Sequence, residues 1–412
     1  MGLSPGGVYS EEGRMPGSRA GFNGPVYKES EDGSSCGVHI ALVTETFPPE
    51  INGVAMTYGV LVRELTRLGH EVTVYRPAIP GERGETAFQQ ELLHGVPLPG
   101  YPQLRMGLPA AGRLRRLWRV ARPDVVHVAT EGLLGISAIR AAVALGIPVT
   151  SGFHTNFHLY ARHYGLELVQ PLVMAWLRWV HNRTARTFVP TVELMGQLEC
   201  EGFQNLALFS RGVDAGQFHP SHRSEELRRG WGAGPEDCVV LHVGRLAPEK
   251  NYPLLLEIYA RMRAVHRGCR FVIVGEGPLQ ERLEQESSGC VLVGAVPHGS
   301  IGRYYASADV YIHASRSETF GNVVLEALAS GLAFAGFDYA AAGECVRHRQ
   351  NGLLAPKGRE ESLIAAAVEL AMDAPLRQRL REACGETVAN RSWAVVAARF
   401  AAELVGIVSQ AG

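Results

Sequence analysis

The amino-acid sequence predicts an α/β protein built from two Rossmann-like βαβ domains. Three observations carry that prediction. At 412 residues the chain exceeds one ordinary hydrophobic core, so two domains of roughly 170–200 residues are expected. From Val38 onward, short apolar runs alternate with stretches of helical period, as in parallel sheets covered by helices on both faces. Polar loops holding glycine, histidine, arginine and glutamate follow several of those runs, at the place where open α/β sheets bind ligands.

Composition narrows the classes. A formal net charge of −1 gives no reason to expect nucleic acid. The seven cysteines are scattered and contain no Cys-x-x-Cys pair. That argues against a disulfide framework or zinc site and points to a reducing cytoplasm. No apolar run approaches the roughly 18 residues of a membrane span, so membrane contact is expected to be peripheral, at the inner face of the cytoplasmic membrane. Lysine occurs at 28, 250 and 357 only, which makes Lys250 conspicuous.

Residues 1–35 hold Gly, Ser, Pro and charges with hardly an aliphatic side chain and read as a disordered tail. A first domain is expected over 36–209. Its strands are Val38–Thr44, Glu71–Tyr75, Asp124–Val128, Pro148–Gly152 and Thr187–Pro190, with a helix over Ala55–Leu68. Asn52-Gly53 lies between the first strand and that helix, where glycine lets the backbone approach a ligand closely. His154 follows the fourth of these strands at its carboxyl end, a substrate-contacting position; His158 and His163 are weaker candidates in the same loop.

In residues 112–122, Leu114, Leu117, Trp118 and Ala121 fall on one helical face, ringed by Arg113, Arg115, Arg116, Arg119 and Arg122. This pattern suits a helix lying on an anionic membrane, or one packing its stripe on the core; Trp118 tilts the reading toward the membrane. A second apolar and basic stretch, Pro171–Arg186 with Met174, Trp176 and Trp179, reads as core.

A second domain is expected over 210–391, with a last helix over 392–409 crossing back to brace the first. The strand Cys238–Val243 leads into a loop carrying Arg245 and Lys250. Two fixed cations there suit a diphosphate, arginine through its fork and lysine as a point charge. Strands Arg270–Val274, Val291–Gly294, Leu332–Phe337 and Leu353–Ala355 follow in the same half. Gly275-Glu-Gly277-Pro-Leu-Gln280 is a poor dinucleotide fingerprint because Gln280 fills the third glycine position. Val296, after Val291–Gly294, could offer backbone groups to a base.

The richest stretch is His313–Gly331. Strand Val310–His313 feeds a turn holding Glu318, Phe320 and Gly321, and Asn322 is placed to cap an apolar helix that Gly331 ends. A strand, tight turn and helix N-terminus bind anions through free N–H groups and the helix dipole. Glu326 lies within the helix, eight residues and roughly 12 Å beyond Glu318, so the two carboxylates can address separate parts of one extended ligand.

With these residues in place, the chain from about residue 37 resembles a retaining glycosyltransferase of the GT-B fold, in the glycogen-synthase-like family numbered four. The resemblance rests on Glu318 and Glu326 with seven residues between, on Phe47-Pro-Pro-Glu-Ile-Asn-Gly-Val, on His242-Val-Gly-Arg-Leu-Ala-Pro-Glu-Lys-Asn, and on Val274-Gly-Glu-Gly-Pro. It implies two domains facing each other across a cleft, with Arg245 and Lys250 on the donor diphosphate. Glu318 and His154 would be the catalytic pair at the donor sugar. Backbone groups of Gly53, Phe320, Gly321 and Asn322 would complete the phosphate site; Glu326, with Val323 and Val296, would hold the ribose and nucleotide. No Asp-x-Asp occurs, so no metal or other cofactor is expected.

Glu45–Val54 together with Gly152-Phe-His-Thr-Asn-Phe-His-x-Tyr160 resembles the lipid-glycosylating subset. That subset includes GDP-mannose-dependent α-mannosyltransferases and UDP-sugar:diacylglycerol transferases of the sulfoquinovosyl type. The resemblance implies hexosyl transfer, foremost from GDP-mannose, to a lipid acceptor at an anionic membrane surface. UDP-sugar transfer to diacylglycerol, transfer to a soluble acceptor, and a nucleotide-sugar epimerase or hydrolase are the alternatives.

Overall fold

The computed structural model describes residues 37–50, 52–79, 88–98, 101–154, 170–287 and 289–411. The 1–35 segment, His158 and His163 lie outside them. The first half runs β1 His39–Val43, α1 Gly53–Arg67, β2 Glu71–Pro77, β3 Gln89–Leu93, β4 Gly95–Leu98, β5 Tyr101–Gly107, α2 Ala111–Val120, β6 Val125–Val128, α3 Leu133–Ala144, β7 Val149–Gly152, α4 Gln170–His181, β8 Arg186–Val189, α5 Val192–Cys200 and β9 Leu206–Leu208. Seven of these strands form a parallel sheet in the order β3-β2-β1-β6-β7-β8-β9, with β4 and β5 as a separate antiparallel hairpin.

The second half runs α6 Glu225–Gly230, β10 Val239–Val243, α7 Tyr252–Val265, β11 Arg270–Val274, α8 Gln280–Glu286, β12 Cys290–Gly294, α9 His298–Ser307, β13 Val310–His313, α10 Asn322–Ala329, β14 Ala333–Phe337, α11 Ala340–Cys345, β15 Gly352–Ala355, α12 Glu360–Met372, α13 Ala374–Ala389 and α14 Trp393–Ala411. Its parallel sheet has the order β12-β11-β10-β13-β14-β15. Both sheets therefore reverse direction once, between β1 and β6 and between β10 and β13. Crevices outside the carboxyl ends of strands at such switch points are where doubly wound sheets hold ligands.

The strands read as unbroken apolar runs because both faces are covered: β6, β7, β13 and β14 are buried at every position. The chain crosses between the halves twice. The two crossings lie side by side, with Val213 N donating to Arg391 O at 2.9 Å and Arg391 Nη1 to Ser210 Oγ at 3.1 Å. After the second crossing α14 returns to the first sheet. By length and composition α14 could span a membrane, which inspection for apolar runs did not anticipate. In the fold it instead packs Val396, Phe400 and Leu404 against Ile40, Tyr58 and Phe188, and each such burial contributes about 1.5–3 kcal/mol.

Two of the surface assignments made from sequence are corrected by the fold. The apolar stripe of α2 is core: Leu114 and Trp118 are fully buried against Val126, Leu134 and Ile139, and Tyr75 meets the Trp118 ring edge-on at 5.7 Å. Its arginines face solvent, as does Val120, which is 89% accessible. The stretch expected in the core is so on one face only: Leu177 and Val180 are buried and Met174 packs on the core, while α4 leaves Leu172, Trp176 and Trp179 71%, 38% and 45% accessible. Strand β3, the β4–β5 hairpin and β9 were not anticipated.

Candidate functional site

At the second switch point β10 pairs directly with β13, so the loops leaving their carboxyl ends lie together. The β10 loop is shaped by its neighbours. Leu246 N donates to Glu276 O at 2.9 Å and Leu279 N to Leu246 O at 3.0 Å. A Cβ on Gly275 would lie 2.0 Å from Gly244 O, and one on Gly277 would lie 2.5 Å from Leu246 O. The Gly-Glu-Gly of the β11 loop is thus a close-packing device that backs the β10 loop. Arg316 N donates to Glu249 O at 2.9 Å, tying the β10 and β13 loops together.

Between these loops Lys250 Nζ lies 2.5 Å from Glu318 Oε1, with the side chains only 15% and 12% exposed. His313 Nε2 stands 3.8 Å from the same oxygen. Burial alone would raise the Glu318 pKa, but the nearby Lys250 charge, His313 and the Lys250 hydrogen bond outweigh it and hold the carboxyl below its ordinary value. Burial dominates at the imidazoles: it lowers His313 to about 4 and His242 to about 3. Arg245 pairs with Glu249 through Nη2 at 2.9 Å and is about half exposed.

The expected Asn322 cap is not formed. Asn322 is the first helical residue of α10, and Gly321 precedes it in a left-handed conformation at φ 94°, with no side-chain capping bond. The turn needs that φ, which glycine adopts at no steric cost, and the uncapped first turn leaves its N–H groups pointing outward. Glu326, one turn further on, accepts a hydrogen bond from Tyr305 at 2.7 Å through Oε2. Burial pushes its pKa up to about 7 although the Tyr305 bond opposes the rise. Tyr305 is held in turn by stacking on Tyr311, which stacks on Phe334. Val323 and Val296 are part-buried against this core, and Ala295 N, beside Val296, donates to Glu276 Oε1 at 3.3 Å.

The first domain presents the loops after β1, β6 and β7. Asn52 caps α1, accepting from Val54 and Ala55 N–H. Gly53 begins that helix, with open space where a Cβ would sit. Glu45 accepts from Gly107 N and from Leu134 N, serving as a distant cap for α3, whose own N-cap is Gly132.

His154 is locked in a buried chain. Arg211 Nη2 lies 3.0 Å from His154 Nδ1, His154 Nε2 2.6 Å from Tyr58 Oη, Tyr58 Oη 2.8 Å from His127 Nε2, and His127 Nδ1 2.9 Å from Thr150 Oγ1. Guanidinium can only donate, so Nδ1 of His154 accepts and its proton sits on Nε2. Tyr58 then accepts from His154 and donates to His127, which donates from Nδ1 to Thr150. Burial, reinforced by Arg211, holds His154 well below 6.5 and therefore neutral. Both of its ring nitrogens are engaged by protein, so the direct sugar contact expected of this imidazole requires one of those bonds to open. Glu131, after β6, is buried with Oε1 unpartnered among the described residues, and burial raises its pKa to about 7.

The structure thus gathers Lys250, Glu318, Phe320, Gly321, Asn322, Val323 and Glu326 on two adjoining loops and one helix, with Arg245 on the nearer loop. Gly53 and His154 belong to the other domain, and Val296 to the loop after β12. Sequence reading missed Arg211, Tyr58, Glu131, His242, His313 and Tyr305. Tyr58 lies within the helix expected over Ala55–Leu68, and Arg211 stands at the expected domain boundary. Among the described residues no group of three or more His, Cys, Asp or Glu is arranged to hold a metal.

Comparison with known proteins decides the family. The model of Glycosyltransferase Family 4 matches residues 51–217, and that of Glycosyl transferases group 1 matches residues 223–387. A GDP-mannose-dependent alpha-mannosyltransferase of Mycobacterium tuberculosis (strain CDC 1551 / Oshkosh) is 37% identical over 366 residues, spanning 88% of this chain and 94% of the relative. The chain belongs to glycosyltransferase family 4. Another relative of this family 4 glycosyltransferase is a GDP-mannose-dependent alpha-(1-6)-phosphatidylinositol dimannoside mannosyltransferase of Mycobacterium tuberculosis (strain ATCC 25177 / H37Ra). It is 27% identical over 303 residues, covering 71% of this chain and 78% of the relative. Sucrose-phosphate synthase from Thermosynechococcus elongatus shares the GT-B fold at a TM-score of 0.73 and 17% identity, covering 90% of this chain and 100% of that one.

Proposed function

We propose that this glycosyltransferase moves a mannosyl group from GDP-mannose to a hydroxyl of a lipid acceptor, with retention and without a metal. The observation that carries the reading is the buried Lys250–Glu318 pair set between the β10 and β13 loops, before the open N-terminus of α10. A nucleoside diphosphate lying across that N-terminus meets Lys250, Arg245 and the N–H groups at Gly321 to Val323. Gly53 N–H adds a donor from the first domain, because Asn52 has already satisfied the next two. Negative charge grows on the diphosphate as the sugar departs, and fixed donors of this kind stabilise it by several kcal/mol each. The positive charge is supplied by side chains and a helix end, which is why no metal is invoked.

Glu318 stays ionised beside Lys250 and faces the sugar, orienting its hydroxyls and favouring positive charge at the anomeric carbon. Glu326 keeps Oε1 for the ribose hydroxyls while Oε2 is held by Tyr305. The acceptor hydroxyl attacks from the face the diphosphate leaves, and a departing phosphate oxygen takes its proton. His154 contacts the sugar from the first domain when its Tyr58 or Arg211 bond opens on closure. Support for mannose and guanine comes from the 37% identical relative, and for a lipid acceptor from the phosphatidylinositol dimannoside enzyme.

A thermal-shift panel of GDP, UDP, ADP and their sugar conjugates tests the donor, since ligand binding raises apparent stability by mass action. The largest shift is expected with GDP-mannose and is unchanged by EDTA. A larger shift with a UDP or ADP sugar overturns the donor assignment. Rapid donor breakdown without any acceptor would favour a hydrolase or epimerase.

A further inference from the structure

Helices α3 and α4 both run from the loop side of the first sheet to its far edge, and each keeps an outward stripe at helical spacing. On α3 it is Leu133, Ile136, Arg140 and Val143; on α4 and just beyond it is Leu172, Trp176, Trp179 and Arg183. Leu133, Val143, Leu172, Trp176 and Trp179 are exposed, Val143 by 62% and Leu172 by 71%. The stripes flank a groove of about 370 Å³ whose floor includes Ile139 and Val180 and whose polar lining is Arg140 and Arg183. The Arg183 guanidinium covers the Trp179 ring at 3.8 Å and donates to Trp179 O. Tryptophan capped by arginine, with aliphatic side chains between, matches the boundary between lipid headgroups and acyl chains.

Charge selects the occupant. The described residues from 101 to 192 carry Asp124 and the buried Glu131 as their acids. At the groove lie exposed Arg140 and Arg183, and α2, packed beside α3, adds exposed Arg113, Arg115, Arg116 and Arg119. An apolar strip within a cationic field fits an anionic bilayer. We infer that the α3–α4 face docks this enzyme on anionic membrane, with Trp176, Trp179 and Leu172 entering the headgroup boundary. The inference deepens the lipid-acceptor reading by naming the surface, and it is tested with no donor or acceptor present, so failure of the transfer reading leaves it standing.

The probes are phosphatidylcholine vesicles with and without phosphatidylglycerol, and a third set containing brominated phosphatidylcholine. Trp118 and Trp231 are buried and Trp393 is part-buried, so vesicle-induced changes in emission report Trp176 and Trp179. Expected are binding that rises with phosphatidylglycerol, a blue shift, and quenching by brominated lipid. Trp176→Phe with Trp179→Phe abolishes the shift. Arg140→Glu with Arg183→Glu weakens vesicle binding at least ~10-fold while thermal unfolding stays cooperative. The wild-type quenching stands as an independent readout should either variant fail to fold. Absence of quenching, or binding that depends on Arg115, Arg116 and Arg119 but not on Arg140 and Arg183, overturns the inference. So does a concentration-dependent dimer in buffer that Trp176→Ser dissociates, which would assign the face to a second copy of the chain.

Discussion

Lys250 Nζ lies 2.5 Å from Glu318 Oε1, so a single ion pair joins the loops of two adjacent strands at the switch point of the second sheet. Both side chains are largely buried, and removing one partner strands the other. Lys250→Met is therefore expected to cost about 3 kcal/mol of stability at pH 7, measured by urea unfolding. The Lys250→Met, Glu318→Gln double variant should lose less than the sum of the singles. Because Glu318 is held below its ordinary pKa, its contribution is present above 4.5 and disappears as pH falls through the lowered value. Full additivity of the two substitutions would show that the contact is energetically idle.

Glu326 titrates near pH 7 in the folded protein, and a carboxylate accepts ribose hydroxyls better than a carboxyl does. Nucleotide binding should accordingly release a proton, and affinity should weaken by up to about tenfold per pH unit below 7. Tyr305 lowers this pKa through its hydrogen bond, so Tyr305→Phe moves the break to higher pH. Glu326→Gln should bind weakly at every pH. Calorimetry from pH 6 to 8 in buffers of differing ionisation enthalpy reads both quantities; a flat wild-type profile would remove Glu326 from the binding equilibrium.

Six buried histidines, His70 among them with its pKa lowered by burial, make the fold acid-labile. Burial lowers His127 to about 3, His181 to about 4, His242 to about 3 and His313 to about 4, and holds His154 well below 6.5. Below 6.5 each takes up a proton on unfolding, so stability falls with acidification by about 1.4 kcal/mol per pH unit per histidine. Glu45, Glu131 and Glu326 act oppositely, since their raised pKa values make unfolding release protons above 4.5. The imidazoles outnumber them, and the expected result is net proton uptake on unfolding at pH 5.5 and a Tm that drops from pH 6.5 to 5. Glu131→Gln should raise Tm at pH 8, where an ionised buried carboxylate is most costly. An unchanged Tm there would mean that Oε1 has a partner in solution.

Much of this was legible before any coordinates. Strand positions followed from apolar runs because parallel strands are buried on both faces; Glu318 and Glu326 were conspicuous because charges are rare among apolar neighbours, and Lys250 because the chain has lysine only at 28, 250 and 357. What escaped depended on contacts distant in sequence. Tyr58 belongs to an ordinary amphipathic stripe until His127 and His154, 69 and 96 residues away, meet its hydroxyl. The glycines at 275 and 277 made a poor dinucleotide fingerprint, and the reason for them is the backbone of 244–246. The α10 cap was misassigned because Asn322 is a good capping residue, while the turn required a left-handed backbone that Gly321 supplies.

Helix α2 gives the sharpest separation between the sequence reading and the fold. Its arginines and its Trp118 stripe looked like one membrane-binding device, whereas Leu114 and Trp118 are sealed in the first core and the arginines stand outside it. Trp118→Ala should then cost about 3–5 kcal/mol and deplete soluble protein. Replacing Arg115, Arg116 and Arg119 by glutamine should change stability by less than about 0.5 kcal/mol. Urea unfolding of the two variants makes the comparison directly. If Trp118→Ala left stability untouched, the indole would have to be mobile enough to leave the core, and α2 would return as a membrane element beside the α3–α4 face.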